Sequence, residues 1–525
     1  YSALSSVSGT TFALIKSETQ TTEEMLEELA KRPEVLAASP NYLSRLNRTE
    51  PDDPYFTSGD LWGMEAIRAP EAWDETSGDE TVYVAVIDTG IDTDHEDLKG
   101  NLDLDLSRNF AEGGNPRDLK DSVGHGSHVA GIIGAVGDNG TGVVGVNWKV
   151  GLITLKVSEG RYIPDNNIIN ALDYLAGLMK DKPDLRLAAV NLSLGDWYPE
   201  TPEEVRSTPM YLAYKVLNDM DRAVIVVAAG NDGLEVGKPA PFNDPINIEV
   251  TGQLKSRDLF EAGDYCYPAS YPGLDNMIVV GASAPEGEAA VFSNWSETKV
   301  DLAAPGVGIY STVPRNEYEE NGGTSMAAPH VTGAVALLAA SSPDMGPSEL
   351  KAYLLEFASA DVNPVPKPFP FSDKSSMFEP YENINSDGQT LSRRGLLDVK
   401  AALDALASPD VRFHNITASA EGGGRVEPSG AVRVRDGADQ TFTFIPDSGY
   451  KVLIVLVDKV PQDSVSQYTF SNVSSDHTLS AYFVQIPPTP KYMPGSSGGG
   501  CDAGLGAIAT FALLGAVLLR RKDEN

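Results

Sequence analysis

Two apolar runs, each ending in polar residues, constrain the fold more than any other feature of this sequence. Residues 82–87 precede Asp88, and residues 223–229 precede Gly230 and Asn231. Strands that are apolar without interruption are buried on both faces, which is typical of parallel sheets covered by helices. The active sites of such sheets lie at the carboxyl ends of the strands. We therefore expect an α/β fold whose site includes the residues that end these runs.

A candidate nucleophile, Ser325, lies far downstream of these runs. Ser325 belongs to Gly-Gly-Thr-Ser-Met-Ala-Ala-Pro-His (residues 322–330), just before an apolar run over residues 331–340 that predicts a buried helix. Free N–H groups at a helix N-terminus stabilise negative charge. A serine also needs a histidine base and a carboxylate that orients the base. His125, which stands between two glycines, and Asp88 supply candidates for both.

Five segments together resemble the subtilisin family of serine proteases, the subtilases, over residues 53–403. They are residues 86–90, 125–131, 190–195, 228–231 and 323–330. The order Asp88, His125, Ser325 is also the subtilisin order. The resemblance implies that Ser325 is the nucleophile, His125 the general base and Asp88 its orienting partner.

The resemblance also implies the remainder of the site. Asn231 is expected to donate its side-chain amide to the oxyanion. An extended peptide substrate is expected to pair with the chain as an added strand. The substrate-binding residues implied in this way are Ser193, Leu194, Gly195, Ala229 and Gly230. His128 and His330, by contrast, are expected to be structural.

A structural calcium ion is implied by the same resemblance. Calcium prefers oxygen ligands from carboxylates and backbone carbonyls. The expected ligands are the side chains of Asp53, Asp97 and Asp138 and the carbonyls of Val136, Thr141 and Val143. The alternative is that these are solvated acidic loops.

Composition excludes some partners and bounds the organisation. A chain of 525 residues is too long to fold around one hydrophobic core. Its net charge of −35 repels phosphate backbones, so nucleic acid is not expected as a partner. With two cysteines there is no disulfide framework. Cys266, between two tyrosines, is expected to be a buried, unpaired thiol.

Residues 1–50 form a separate unit with a strand over residues 10–16, an amphipathic helix from Thr22 and a second strand over residues 35–43. This α+β piece resembles the rear part of a subtilase propeptide, which packs against the enzyme and blocks the substrate cleft. We expect the sequence to be N-terminally incomplete, with an export signal lost upstream. The alternative is an ordinary N-terminal extension.

The catalytic domain is predicted over residues 51–407, with insertions over residues 244–264 and 363–391. Residues 409–486 then change to short alternating strands separated by turns, which predicts a small all-β module. The module resembles repeats of bacterial surface proteins, so its expected role is spacing or adhesion.

The end of the sequence predicts a membrane attachment. A Pro/Gly-rich linker over residues 487–502, which includes Cys501, precedes a span without charges over residues 503–519 and a basic end over residues 520–525. The span is near the short limit for a transmembrane helix, and its basic end is expected in the cytoplasm. The tail resembles bacterial C-terminal sorting tails, which a processing enzyme cuts near the Gly-Cys motif. A buried core helix is the alternative.

The sequence thus predicts a subtilisin-like parallel sheet flanked by helices, with a propeptide remnant before it and the β module and transmembrane helix after it. The expected activity is that of a bacterial serine endopeptidase acting on polypeptides, secreted or anchored in the cell envelope, with its catalytic domain outside the cytoplasmic membrane. Two alternatives stay open: a peptide ligase or macrocyclase that uses the same acyl-enzyme, and a binding protein on an inactive scaffold.

Overall fold

The computed structural model describes residues 2–7, 10–14, 17, 20–39, 49–111, 113–160, 162–241, 261–359, 391–408, 411–462 and 465–486. The predicted linker and transmembrane helix over residues 487–519, Cys501, the basic end and most of both predicted insertions lie outside these ranges. Within them, no helix is both long and apolar enough to span a membrane.

The strands are β1 (Ser2–Val7), β2 (Thr10–Leu14), β3 (Gly78–Asp88), β4 (Arg108–Asn109), β5 (Lys149–Lys156), β6 (Arg186–Leu192), β7 (Asp196–Tyr198), β8 (Val224–Ala228), β9 (Tyr265–Tyr267), β10 (Met277–Ser283), β11 (Leu302–Pro305), β12 (Ile309–Val313), β13 (Glu317–Asn321), β14 (Phe413–Glu421), β15 (Gly424–Glu427), β16 (Gly430–Arg435), β17 (Gln440–Pro446), β18 (Tyr450–Val457), β19 (Val460–Gln462), β20 (Gln467–Phe470) and β21 (His477–Gln485). The helices are α1 (Thr22–Leu29), α2 (Pro54–Thr57), α3 (Trp62–Ala66), α4 (Ala69–Trp73), α5 (His125–Gly134), α6 (Asp165–Asp181), α7 (Pro209–Met220), α8 (Thr324–Ser341), α9 (Pro347–Glu356) and α10 (Val399–Ala407), with a 3₁₀ turn at Glu204–Ser207.

A seven-stranded sheet in the order β11-β10-β8-β6-β3-β5-β4 forms the centre of the fold. All of its neighbouring strands are parallel. This confirms the α/β fold with a parallel sheet that the apolar runs predict. The carboxyl ends of β3 and β8, where Asp88 and Ala228 stand, therefore lie at the same edge of the sheet.

Helices cover both faces of this sheet because its strands send alternate side chains to opposite sides. Val84 and Val86 of β3 pack in one buried cluster with α5 and α8. Ala85 and Ile87 pack in the other cluster with α6 and α7. Both faces of the sheet are thus buried along β3, which explains why residues 82–87 are apolar without interruption.

The described residues after α10 form an all-β unit. A five-stranded sheet, β16-β14-β21-β18-β19, packs with a three-stranded sheet, β15-β17-β20, around a core of their own that includes Phe442 and Leu479. The unit contacts α9, where the Phe413 and Tyr353 rings lie 4.7 Å apart and Arg433 pairs with Glu349.

The N-terminal unit differs in part from its prediction. Its helix, α1, begins after a capping box formed by Thr21 and Glu24, as the sequence pattern indicates. The predicted strand over residues 35–43 does not form over residues 35–39, the part that the structure describes. Instead, β2 pairs with β1 in an antiparallel hairpin, which supplies β2 with its hydrogen-bond partner.

Candidate active site

The side chains of Asp88 and His125 are paired. Asp88 ends β3 and is almost fully buried, and His125 is the first residue of α5. Its Nδ1 lies 2.8 Å from Oδ1 and 3.0 Å from Oδ2 of Asp88. Because Nδ1 faces a carboxylate, the other ring nitrogen, Nε2, is left to accept a proton.

Charge around His125 favours its protonated form. Burial lowers the pKa of His125, but the charge and hydrogen bond of Asp88, together with the charge of Asp121, outweigh burial and raise this pKa above its usual range. A raised pKa makes the imidazole a stronger base for the proton that Ser325 gives up.

Gly126 is required by the approach of α5 to β3. A Cβ at this position would lie 2.3 Å from the Gly90 carbonyl oxygen and 3.2 Å from Cβ of Asp88. Only glycine lets the first turn of α5 come so close to the end of β3. The Gly-His-Gly pattern therefore reflects the packing that brings the two side chains together.

Asp121 is a buried carboxylate that sequence reasoning missed. Its Oδ1 accepts hydrogen bonds from Thr89 Oγ1, Val123 N and Gly124 N at 3.0, 3.0 and 2.8 Å. Its Oδ2 accepts from both N and Oγ of Ser127. Asp121 thus caps α5 and links it to the residue that follows Asp88. The available signal was a capping residue just before the histidine helix.

Ser325 stands in the first turn of α8, which follows Gly323 at φ 149°. Its Oγ donates to the Ser193 carbonyl at 3.3 Å rather than to His125. Ser325, His125 and Asn231 nevertheless line one cleft of about 760 Å³. Contacts between nucleophile and base are often long without substrate and close when it binds.

Asn231 is oriented by the residue before the serine. Its Oδ1 accepts hydrogen bonds from the backbone N–H of Thr324 at 2.8 Å and from Thr324 Oγ1 at 3.0 Å. With the oxygen held in this way, the side-chain NH₂ remains available as a donor. This role of Thr324 has no direct signal in the sequence.

The predicted substrate-binding residues lie beside the serine. Ser193 follows β6, and its Oγ donates to the Ser325 carbonyl at 2.8 Å. A Cβ at Gly195 would lie 2.9 Å from the Tyr267 carbonyl oxygen, so the chain passes close to β9. Ala229 is buried and Gly230 has φ 102°, which turns the chain between β8 and Asn231.

The two histidines expected to be structural and the described cysteine are buried. His128 Nε2 lies 3.0 Å from the Glu319 carbonyl oxygen, and His330 Nδ1 lies 2.8 Å from that of Met326. Burial lowers the pKa of each histidine to about 4. Cys266 is a buried free thiol, as predicted, and burial raises its pKa. Because they are buried, His128, His330 and Cys266 are suited to structural rather than reactive roles.

The predicted calcium ligands come together only in part. Among the described residues, no group of three or more His, Cys, Asp or Glu could hold a metal. Asp138 adopts a left-handed conformation with φ 57°, and its backbone N–H donates to Asp53 Oδ2 at 2.8 Å. The N–H groups of Val136 and Val143 donate to the carbonyl and to Oδ2 of Asp97. The six-ligand cage that includes Asp138 therefore stays a prediction.

Asp53 and Asp97 do fit a hard cation. Both are fully buried, and Asp53 Oδ1 has no hydrogen-bond partner within the described part of the chain. Burial raises the pKa of Asp53 to about 6, and the nearby Asp97 charge adds to this rise. Asp97 also has a raised pKa because of its burial, despite hydrogen bonds from Asn139, Val143 and Tyr318. Two buried carboxylates with an orphaned oxygen are suited to a positive charge between them.

Comparison with known proteins identifies the family of this chain. The sequence model described as the subtilase family matches residues 79–389, more than half of the chain. The chain belongs to the subtilase family. This subtilase is therefore a subtilisin-like serine protease.

Two relatives are similar to this chain in sequence, and one solved structure is similar to it in fold. The intracellular serine protease of Paenibacillus polymyxa is 36% identical over 308 residues, covering 56% of this chain and 78% of the relative. The extracellular basic protease of Dichelobacter nodosus is 31% identical over 390 residues, covering 65% and 58%. A protease structure from Pseudoalteromonas arctica matches 68% of this chain and 99% of its own, with a TM-score of 0.50 and 24% identity, and shows the same fold. One relative is named intracellular and the other extracellular. Similarity to them therefore does not indicate a compartment for this subtilase.

Proposed function

We propose that this subtilase is an endopeptidase that hydrolyses peptide bonds through an acyl-enzyme on Ser325. The observation that carries the proposal is the Asp88–His125 pair, 2.8 Å apart, at the same cleft as Ser325 and Asn231. Ser325 Oγ attacks the carbonyl carbon and its proton passes to His125 Nε2. Asp88 keeps the ring oriented and stabilises its positive charge.

Two donors are available for the oxyanion that forms in this step. One is the side-chain NH₂ of Asn231, whose oxygen is held by Thr324. The other is the backbone N–H of Ser325 in the first turn of α8. When the C–N bond breaks, His125 returns the proton to the leaving amine, and a water molecule then attacks the acyl-enzyme by the same route.

The substrate class is extended polypeptide. Ser193, Leu194 and Gly195 leave the end of β6 next to Ser325, and Ser193 is bonded to the serine's own backbone. A peptide that pairs with this segment would place one carbonyl at Ser325 Oγ. Main-chain pairing of this kind gives affinity with little dependence on sequence.

Hydrolysis of internally quenched peptides by the purified protein tests the proposal. Ser325→Ala should lose cleavage, whereas Ser341→Ala should retain it, because Ser341 is exposed at the far end of the same 18-residue helix. Equal cleavage by Ser325→Ala and wild type would refute the assignment. Product analysis with added peptide amines separates hydrolysis from ligation. Among the described residues, no contact provides a specific site for the amine that ligation requires.

We further infer that Asp53 and Asp97 hold a structural calcium ion, completed by oxygen ligands of neighbouring loops. The ion would neutralise two buried carboxylates and fix the segment before α2 against the loop that follows α5. Its contribution is to stability, since both residues lie away from the cleft that Ser325 and His125 line.

For the remainder of the chain we retain the division inferred from sequence. Residues 1–50 act as a propeptide segment, 51–407 as the catalytic domain and 409–486 as a spacing or adhesion module. The tail over residues 487–525 attaches the protein to the membrane, with the catalytic domain outside, until a processing enzyme cuts near Cys501. Mass spectrometry of protein from native cells should find a C-terminus near Cys501; recovery of intact Asn525 would contradict processing.

A further inference from the structure

The strand that leads to the nucleophile also forms one wall of the cleft. β13 (Glu317–Asn321) pairs with β12 alone among the described strands, and it ends four residues before Ser325. Because side chains alternate along a strand, residues 317, 319 and 321 share one face. The cleft is lined by Glu317, Glu319 and Asn321, which is that face.

The other face of β13 points away from the cleft. Tyr318 OH donates to the buried Asp97 carboxylate at 2.9 Å. Glu320 Oε1 lies 3.0 Å from the place a Cβ would take at Gly308. Two neighbouring glutamates, Glu319 and Glu320, therefore have the same charge and backbone setting but opposite orientations relative to the cleft.

Most of the charges that line the cleft are already compensated. Arg315 pairs with Glu317 at 3.1 Å, and the buried Asp121 carboxylate accepts five hydrogen bonds. The exposed Glu319 carboxylate has no hydrogen-bond or ion-pair partner within the described residues. Lys120, in the loop before His125, also lines the cleft, and the described residues likewise offer no carboxylate partner to its ammonium group.

The side of the scissile bond that meets Glu319 follows from the substrate segment. Ser193 lies at Ser325, and the described lining of this cleft includes no residue of the 193–195 segment. If the acyl part of the peptide is the part that pairs with residues 193–195, the leaving part enters the cleft. Along β13, Glu319 lies two residues, about 7 Å, before Asn321. Two residues of an extended peptide in the cleft cover the same distance.

We propose that this subtilase prefers polypeptides with lysine or arginine at the second or third residue after the scissile bond, and that Glu319 determines the preference. This inference rests on the proposed function and concerns its leaving-group side. Lys120, which lines the same cleft from another loop, disfavours a cation that faces it, so the preference belongs to side chains that face β13.

Peptides that differ in one residue test the inference. Internally quenched peptides with Lys, Gln or Glu at the first, second or third residue after the scissile bond are compared by kcat/KM. Lys should exceed Gln by about two- to fivefold at the second or third residue, the range for an exposed ion pair. Because salt screens such pairs, the ratio should shrink in about 1 M NaCl.

Three variants separate a local effect from a general one, and two of them, Glu319→Gln and Glu320→Gln, have the same net charge. Glu319→Gln should remove the preference for Lys, and Glu319→Lys should reverse it in favour of Glu. Glu320→Gln, the matched control, should retain the wild-type ratio because its side chain faces away from the cleft. Equal loss of preference in Glu319→Gln and Glu320→Gln would overturn the inference, since the cause would then be net charge.

Other outcomes distinguish the inference from the function beneath it. Cleavage by wild type without charge preference at the three positions, or with preference only before the scissile bond, would overturn the inference alone. No cleavage of any peptide by wild type would overturn both the inference and the proposed function.

Discussion

Asp121 binds Ser127 twice, since Asp121 Oδ2 accepts hydrogen bonds from Ser127 N at 2.9 Å and from Ser127 Oγ at 2.8 Å. Ser127 lies in the first turn of α5, two residues after His125. Through Thr89 Oγ1, the same carboxylate also reaches the residue after Asp88. Asp121 therefore fixes the position of the base relative to its orienting carboxylate without contacting the reacting atoms.

Asp121→Asn should lower kcat by about 10- to 100-fold through misplacement of His125. It should also shift the acid limb of the kcat/KM profile. His125 must be neutral to act as a base, so activity falls as pH drops through its pKa, which the Asp121 charge raises. Without that charge the limb should move to lower pH. A lower kcat with an unmoved limb would contradict the effect of the Asp121 charge and leave only its role in positioning His125.

Asn231→Ala should reduce kcat about 100- to 1000-fold with little change in KM, because the donor acts on charge that develops in the transition state. This range is the effect of removing the corresponding donor from subtilisin, the example on which the expectation is based. Steady-state kinetics on one quenched peptide provide the test. A change confined to KM would contradict the role of Asn231 as an oxyanion donor.

Calcium should raise the melting temperature and EDTA should lower it, because an ion that binds only the folded state stabilises by about 2.7 kcal/mol at roughly one hundred times its Kd. Asp53→Asn and Asp97→Asn should blunt the response in differential scanning calorimetry. Asp94→Asn, an exposed acid of the same loop, should leave it intact. A melting temperature independent of calcium from micromolar to millimolar would exclude the site.

Residues 1–50 should be released by the enzyme itself. Thr49 and Glu50 precede α2, and Thr49 N donates to Asp74 Oδ1, so the proposed junction lies on the catalytic domain. Purified wild type should lose the segment over time, as seen by mass spectrometry, and Ser325→Ala should keep it. Release at the wild-type rate from Ser325→Ala would show that another protease makes the cut.

Sequence patterns predicted best those site residues that stand at the end of a regular strand or at the start of a regular helix. Asp88 is at the end of a buried strand, and Ser325 begins a buried helix, so periodicity placed both at the cleft edge of the sheet. The Asp88–His125 contact then depends on the close approach of α5 to β3 that Gly126 permits.

The features that sequence patterns missed depend on contacts between distant segments or on backbone conformation. Asp121 matters because its loop folds back on α5, and Thr324 matters because Asn231 lies next to it in space. The Asp138 N–H reaches Asp53 from a backbone with left-handed φ, a conformation that the sequence pattern did not indicate. The orientation of Glu319 follows from the hydrogen bond between Tyr318 and Asp97, which fixes the two faces of β13.

Active-site labelling with a fluorophosphonate tests the central claim, that Ser325 is a nucleophile activated by the Asp88–His125 pair. Because the reagent reacts with an activated serine, we predict a single label per molecule on the peptide that contains Ser325. Ser325→Ala should give no label, His125→Ala should react far more slowly, and Ser341→Ala should label like wild type. A label on another residue, or labelling of Ser325→Ala at the wild-type rate, would contradict the claim.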